Sequence, residues 1–397
     1  MFNFDEVIDR SQTDSTKWRK LRDQYNEPDL LPMWVADMDF KVAEPISNAL
    51  EKRANHGIFG YVYPHESFYL TFIDWVQKRH GWKIEKDWIL VLPGVISGLN
   101  LSARVLAKEG ENMILQSPVY PPFYRVIENN HRNVIDNPLV LNDGKYEIDF
   151  DDLENKIDSN TKALLFCSPH NPVGRVWKKD ELIKLSRICL QHQIIMVSDE
   201  IHSDLIYPDN THIPLASLSH EIAQQTVTLM APSKTFNIAG LATSVAIIPD
   251  AELRKKYQQE MVEMAISSHS TFGTLAFETA YSQGEEWLEE LLCYLNKNKK
   301  RVAEFLEEEL RDVHVIDAEG TYLLWLDFRK LEKSHDQIRQ SLIHHGKVAL
   351  NSGLDFGQQG ACFFRMNIAC PRSTLEEGLS RIKKAVLYLK EKKKDEK

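Results

Sequence analysis

Between residues 89 and 247 short apolar runs alternate with helical stretches, and this alternation limits the possible folds more than any other feature. "WILVLP" precedes "GVISGLNLSARVLA", "NMILQS" precedes "FYRVIENN", and "TKALLFC" precedes "KDELIKLSRICLQHQ"; "IIMVS", "TVTLM" and "TSVAII" follow. Continuous apolar runs of this length suit strands buried on both faces, and the intervening helices return the chain for a parallel neighbour. The pattern predicts an α/β fold: a mostly parallel central sheet with helices on both faces. "NVIDNPLV" reads as a further strand and "FDDLENKI" as a further helix. Two helices are predicted upstream, near 43–56 and 66–80, each stopped by a glycine, Gly57 and Gly81.

Outside this block the texture differs. Residues 1–45 read as an irregular, extended arm that joins a small domain. Residues 46–285 form the large domain. Residues 286–397 form a smaller α+β domain, with the charged helix "EEWLEELLCYLNKNKKRVAEFLEEEL", strands "TYLLWLDF" and "CFFRMNIA", and a last helix from about 373. The tail "KEKKKDEK" reads as a frayed, solvated end. A chain of 397 residues exceeds one ordinary core, in keeping with two domains. The net charge of −10 argues against nucleic acid and anionic membranes as partners. Five cysteines without a CxxC pair suit reduced thiols in the cytoplasm, and no metal site is expected. "MFNFDEVIDR" lacks the apolar core of a signal peptide, and no apolar run approaches the ~20 residues of a membrane span.

Chemistry-bearing residues gather at the strand ends, where open α/β sheets bind ligands. "VLPGVISGLN" puts Gly94 before a helix whose first amides, at Val95 and Ile96, would suit a phosphate; an ordinary strand-to-helix turn would look the same. "LFCSPHNPVG" ends a strand with Asn171-Pro172, either a Pro/Gly turn or a hydrogen-bonding site. "IIMVSDEIH" ends one with Asp199. A carboxylate there is costly unless paired, by a pyridinium nitrogen for instance, though a helix cap explains it equally well. "APSKTFNIAG" holds Lys234 between two apolar runs with no acid nearby. It is either a surface lysine in a turn or an amine whose charge chemistry removes, as in a Schiff base to an aldehyde cofactor.

The order of these features resembles fold type I pyridoxal-5′-phosphate (PLP) enzymes, the aspartate-aminotransferase-like superfamily. "WVADMDF", "FGYVYP", "DEIHSDL", "SKTFNIAGLATS" and "FFRMNIACPRSTLEEGL" look like its cystathionine β-lyase, or bacterial C–S lyase, branch. The resemblance covers nearly the whole chain. Two positions depart from the superfamily's aminotransferases. Ala242 stands where they carry an arginine for the cofactor phosphate, and His202 where they often carry a tyrosine.

The resemblance implies roles. Lys234 would bind PLP and act as base at Cα, and Asp199 would keep the pyridine nitrogen protonated. Asn171 would bond the phenolic oxygen, Tyr120 would stack on the ring, and His202 would line the cofactor site. Ser233 and the amides at Val95 and Ile96 would hold the phosphate, with Tyr61 of a neighbouring subunit in a homodimer. Arg365 would grip the substrate α-carboxylate, with backbone near Ala36 and Tyr61 beside it; otherwise an arginine in an apolar strand needs an internal acid. The implied activity is α,β-elimination on a small sulfur amino acid. The alternatives are an aminotransferase and, by family analogy, a regulatory binding protein that contacts a transcription regulator.

Overall fold

Seven strands form the central sheet: β1 Ile89–Leu92, β2 Asn112–Leu115, β3 Asn133–Asp136, β4 Thr161–Cys167, β5 Ile195–Asp199, β6 Thr226–Met230 and β7 Ser244–Ile247. They lie in the order β1-β7-β6-β5-β4-β2-β3. Only β7 runs against its neighbours, β1 and β6; the other pairings are parallel. The structure is a computed structural model that describes residues 2–25, 27, 29–266 and 269–395.

Side-chain alternation along β4 shows why the strands read as unbroken apolar runs. Ala163, Leu165 and Cys167 face a layer with the helices Val95–Leu106 and Pro122–Asn129. Leu164 and Phe166 face the opposite layer, with the helix Lys179–Gln191. Both faces are dry, so both parities must be apolar. Each large side chain buried there contributes about 1.5–3 kcal/mol. That packing holds the carboxyl ends of neighbouring strands at fixed spacing.

The helices Glu44–His56 and Glu66–His80 end as expected at Gly57 and Gly81, which adopt φ of 75° and 66°. Three expectations need correction. The arm is not wholly irregular, because Thr16–Tyr25 is a helix. Its sequence "TKWRKLRDQY" has a thin apolar stripe, and the burial of Lys17 is not visible in it. The expected strand "NVIDNPLV" is two, Asn133–Asp136 and Val140–Asn142, parted at Asn137-Pro138, where proline has no N–H for a ladder. The tail is helical to Asp395, and its last two residues lie outside the described residues.

A second, antiparallel sheet holds β8 (Leu323–Asp327) and β9 (Phe363–Asn367), flanked by His314–Val315 and Asn351–Ser352. In its register Arg365 faces Trp325 on one side and Asn351 on the other. The arm joins this region through parallel pairing of Leu31–Pro32 with Val348–Ala349. It then runs on as residues 34–40 toward the central sheet. Asn367 Nδ2 donates to the carbonyls of Val35 and Asp37, and Asn237 Nδ2 to those of Met38 and Phe40. Asparagines from two distant elements therefore hold this extended segment in place.

Candidate active site

A cavity of about 310 Å³ opens at the carboxyl ends of β1, β4, β5 and β6. Ala36, Val95, Ile96, Tyr120, Asn171, Asp199, His202, Ser233 and Lys234 all line it. Each comes from a strand end or the loop after it, except Ala36, which arrives on the pinned arm. Val95 and Ile96 begin the helix Val95–Leu106, whose first amides have no acceptor within the helix. Lys234 stands in a single helical turn, Pro232–Thr235, directly after β6.

Among the described residues, the charged groups here form no ion pairs. Lys234 Nζ donates to the Ala36 carbonyl at 2.7 Å, and no ion pair to it occurs among the described residues. Tyr322 Oη donates to the same oxygen at 3.0 Å. Burial, with Arg365 adding to it, lowers the Lys234 pKa to about 8. Asp199 is buried and accepts the Ile201 amide at 3.1 Å. Burial raises its pKa to about 7, against the opposing pull of that bond and of Lys234. His202 is held neutral by burial, and its Nδ1 has no hydrogen-bond partner.

Arg365 lies behind Asn171 rather than on the cavity wall. Its Nη1 donates to Asn171 Oδ1 at 2.9 Å, and its Nη2 donates to the Trp34 carbonyl at 2.9 Å and Asn351 Oδ1 at 2.6 Å. Nε is buried without a partner. The internal acid that was the alternative to a substrate carboxylate does not pair with it: among the described residues Arg365 makes no ion pair, and its acceptors are neutral. Burial pulls its pKa down to about 10. The Phe356 ring lies under the guanidinium at 4.9 Å.

Tyr61 is not brought to the cavity of its own chain. It is fully exposed, beside exposed Ile58, Phe59 and Tyr63. Ala242 has a left-handed backbone, and no arginine among the described residues lines the cavity. Several residues of the site were not foreseen: Trp34, Asn351, Asn367 and Tyr322. Asn237 was visible in the stretch around Lys234, but a single asparagine does not announce that it will clamp residues some 200 positions away.

Residues 30–382 match the aminotransferase class I and II family. Cystathionine beta-lyase PatB of Bacillus subtilis (strain 168) is 43% identical over 385 residues, 97% of this chain and 100% of the relative. Cystalysin of Treponema denticola, whose crystal structure contains a pyridoxal 5′-phosphate cofactor, matches with a TM-score of 0.96 at 38% identity, over 98% of this chain and 100% of that one. The PLP-bound C–S lyase of Staphylococcus hominis matches at 0.90 and 33%, over 98% of both chains. With most of its length matched and the strand-end residues drawn round one cavity, the chain belongs to the aminotransferase class I and II family.

Proposed function

We propose that the protein is a PLP-dependent C–S β-lyase. It cleaves L-cystathionine, L-cysteine or related S-substituted cysteines to a thiol or hydrogen sulfide, pyruvate and ammonia. The observation that carries this reading is the Lys234 amine, held by a carbonyl instead of a carboxylate and facing a cavity that also contains Asp199. The cavity suits PLP in its donor set. The buried Asp199 carboxylate has one amide donor and calls for a cationic N–H. His202 Nδ1 is an orphaned polar atom. The first amides of the helix Val95–Leu106 suit a phosphate.

When bound, PLP supplies an electron sink for the pair left at Cα. Lys234 Nζ would hold the cofactor and would take the proton from the substrate Cα. With its pKa near 8, it exchanges protons readily near neutral pH. The Asp199 carboxylate keeps a proton on the ring nitrogen. Asn171 Oδ1 is occupied by Arg365, so Nδ2 is the donor it has left for the phenolic oxygen. Tyr120 covers a ring face. Ser233 and the amides of Val95 and Ile96 take the phosphate. Arg365, with no acid of its own, binds the substrate carboxylate beside Ala36. The residues of the cavity would have to orient the substrate so that its Cβ–S bond can break with sulfur departing as thiolate. The test is simple: pyruvate must appear from L-cystathionine or L-cysteine with no keto-acid acceptor, from protein whose absorbance near the visible edge is lost on borohydride reduction. Product formed only when an acceptor is added would make this an aminotransferase.

The same reading gives an active homodimer in which Tyr61 reaches the partner's phosphate site. The exposed aromatic segment 58–63 and the lack of a cavity arginine support it. Lys234→Ala and Tyr61→Ala subunits, each poor alone, should regain activity when mixed, approaching half of wild type per mixed dimer. If no activity returns, Tyr61 acts within its own chain or not at all. The domain division at 46–285 and 286–397 belongs to the same reading. In its support, the seven-stranded sheet lies within residues 89–247 and the four-stranded sheet within 314–367. No helix among the described residues is long and apolar enough to cross a membrane. The unpaired cysteines favour the cytoplasm.

A further inference from the structure

Behind the cavity, the turn that carries Lys234 is tied down by groups that never reach the cavity. Thr235 is fully buried, and its Oγ1 donates to Asp204 Oδ2 at 2.9 Å. Asp204 is buried too. Its Oδ1 accepts from Trp75 Nε1 at 3.1 Å and pairs with His80 Nε2 at 3.1 Å. Trp75 and His80 both stand on the helix Glu66–His80. A second buried pair lies alongside: Glu200, next to Asp199, meets His212 Nε2 at 2.8 Å. The two imidazoles pack edge to face, with centroids 5.4 Å apart. A polar brace therefore runs from the neighbour of Asp199 to the neighbour of Lys234.

Stability alone is a poor reason for such a brace, because well-packed apolar groups often serve a core as well as buried charge pairs. The turn Pro232–Thr235 gives a better one. A single helical turn has no cooperative neighbours to hold it, and its N-cap, Ala231, offers no side-chain cap. Among the described residues, its side chains make two hydrogen bonds: that of Lys234 to Ala36 and that of Thr235 to Asp204. The first is lost whenever the amine does chemistry. The second then sets the depth and direction of Lys234. We infer that Asp204, acting through Thr235, is a positioning residue that aims the Lys234 amine into the cavity. This rests on the reading of Lys234 as the cofactor lysine.

The test compares Thr235→Val, which deletes the hydroxyl at nearly constant shape, with Thr235→Ser, which keeps it. Thr235→Val should lose roughly ten- to a hundredfold in kcat, the scale of a small misplacement of a reacting group, with KM little changed. It should also carry less cofactor on Lys234 after borohydride reduction, read by peptide mass at limiting PLP. Thr235→Ser should recover most of both. Asp204→Asn, nearly isosteric, should give the same split and replaces Thr235→Val if that variant fails to fold. If Thr235→Val is less heat-stable but matches wild type in kcat and in Lys234 labelling, the brace is structural only and the inference is overturned. Wild-type protein that takes no label on Lys234 would overturn the cofactor reading itself, and this inference with it.

Discussion

Two lysines meet the same stretch, Ala36–Asp39, in different circumstances. Lys17 is 1% exposed, and its Nζ lies 2.6 Å from Asp39 and 3.7 Å from Asp37. Arg10 completes that cluster at 2.7 Å from Asp37 and 2.6 Å from Asp39. Lys234, in the turn after β6, donates to the Ala36 carbonyl and feels the Asp37 carboxylate only through space, without an ion pair among the described residues. A carbonyl is an acceptor without net charge, so it does little to hold a proton on the amine, and burial pulls the pKa down. Lys17 instead has carboxylate partners, with Asp39 at hydrogen-bonding distance. One stretch of backbone thus meets one lysine through its carboxylates and another through a carbonyl oxygen.

The largest effect expected from this contrast is on chemistry. Lys234→Ala should lower kcat with L-cystathionine or L-cysteine by at least roughly 10³-fold, the scale for losing a nucleophile and base together. Its melting temperature should not fall, because the substitution removes a poorly solvated charge. A variant that kept wild-type kcat would erase the distinction between the two lysines.

Arg365 extends the comparison, being a second buried cation with neutral partners. Arg365→Ala should cost about 2–5 kcal/mol in kcat/KM, the range for losing a charge-assisted carboxylate contact. The loss should be similar for every α-amino acid substrate tested, since all share the carboxylate. A loss confined to certain side chains would show that Arg365 reads another part of the substrate.

Lys17→Met is the converse of Lys234→Ala. It strands Asp39 beside Arg10 alone and should destabilise the fold by roughly 3 kcal/mol, as breaking a buried pair does. Denaturant unfolding would measure this, and kcat per folded molecule should change little. A large fall in kcat at unchanged stability would make the arm's ion cluster part of the catalytic apparatus.

The smallest effect concerns pH. The folded-state pKa of Lys234, about 8, lies below the unfolded value of 10.5. Between those values the folded state binds fewer protons, so wild-type stability rises with pH through that window relative to Lys234→Ala. The stability advantage expected of the alanine variant should therefore be largest below pH 8 and shrink toward 10.5. Capture of PLP by the cofactor-free protein should speed up as pH rises and level off above about 8. A rise continuing past pH 10 would mean an ordinary lysine.

Much of the site was legible because it is local. Asn171, Asp199 and Lys234 each close or follow an apolar β-run, and such runs in a parallel sheet end on one edge. Any residue just past them must therefore lie near the others. What surrounds Arg365 was not legible. An arginine in an apolar strand left open a substrate carboxylate or an internal acid, and nothing local announced the two amides and the carbonyl that the structure supplies. The helix Thr16–Tyr25 escaped for a related reason: its lysine looks solvated until the arm folds over it.

The chain's own pattern determined the parallel sheet and the edge at which Val95, Asn171, Asp199 and Lys234 gather, because strand and helix periodicities act over a few residues, whereas Tyr120, Ser233 and His202 stood out only through the family resemblance. The pairing of buried charges was decided only by tertiary structure. Lys17 meets Asp39 across 22 positions, Lys234 meets Ala36 across 198, and Arg365 meets Trp34 across 331. Contacts at such separations follow from how the arm returns across the sheet, and that return is set by packing, which no local window of the sequence records.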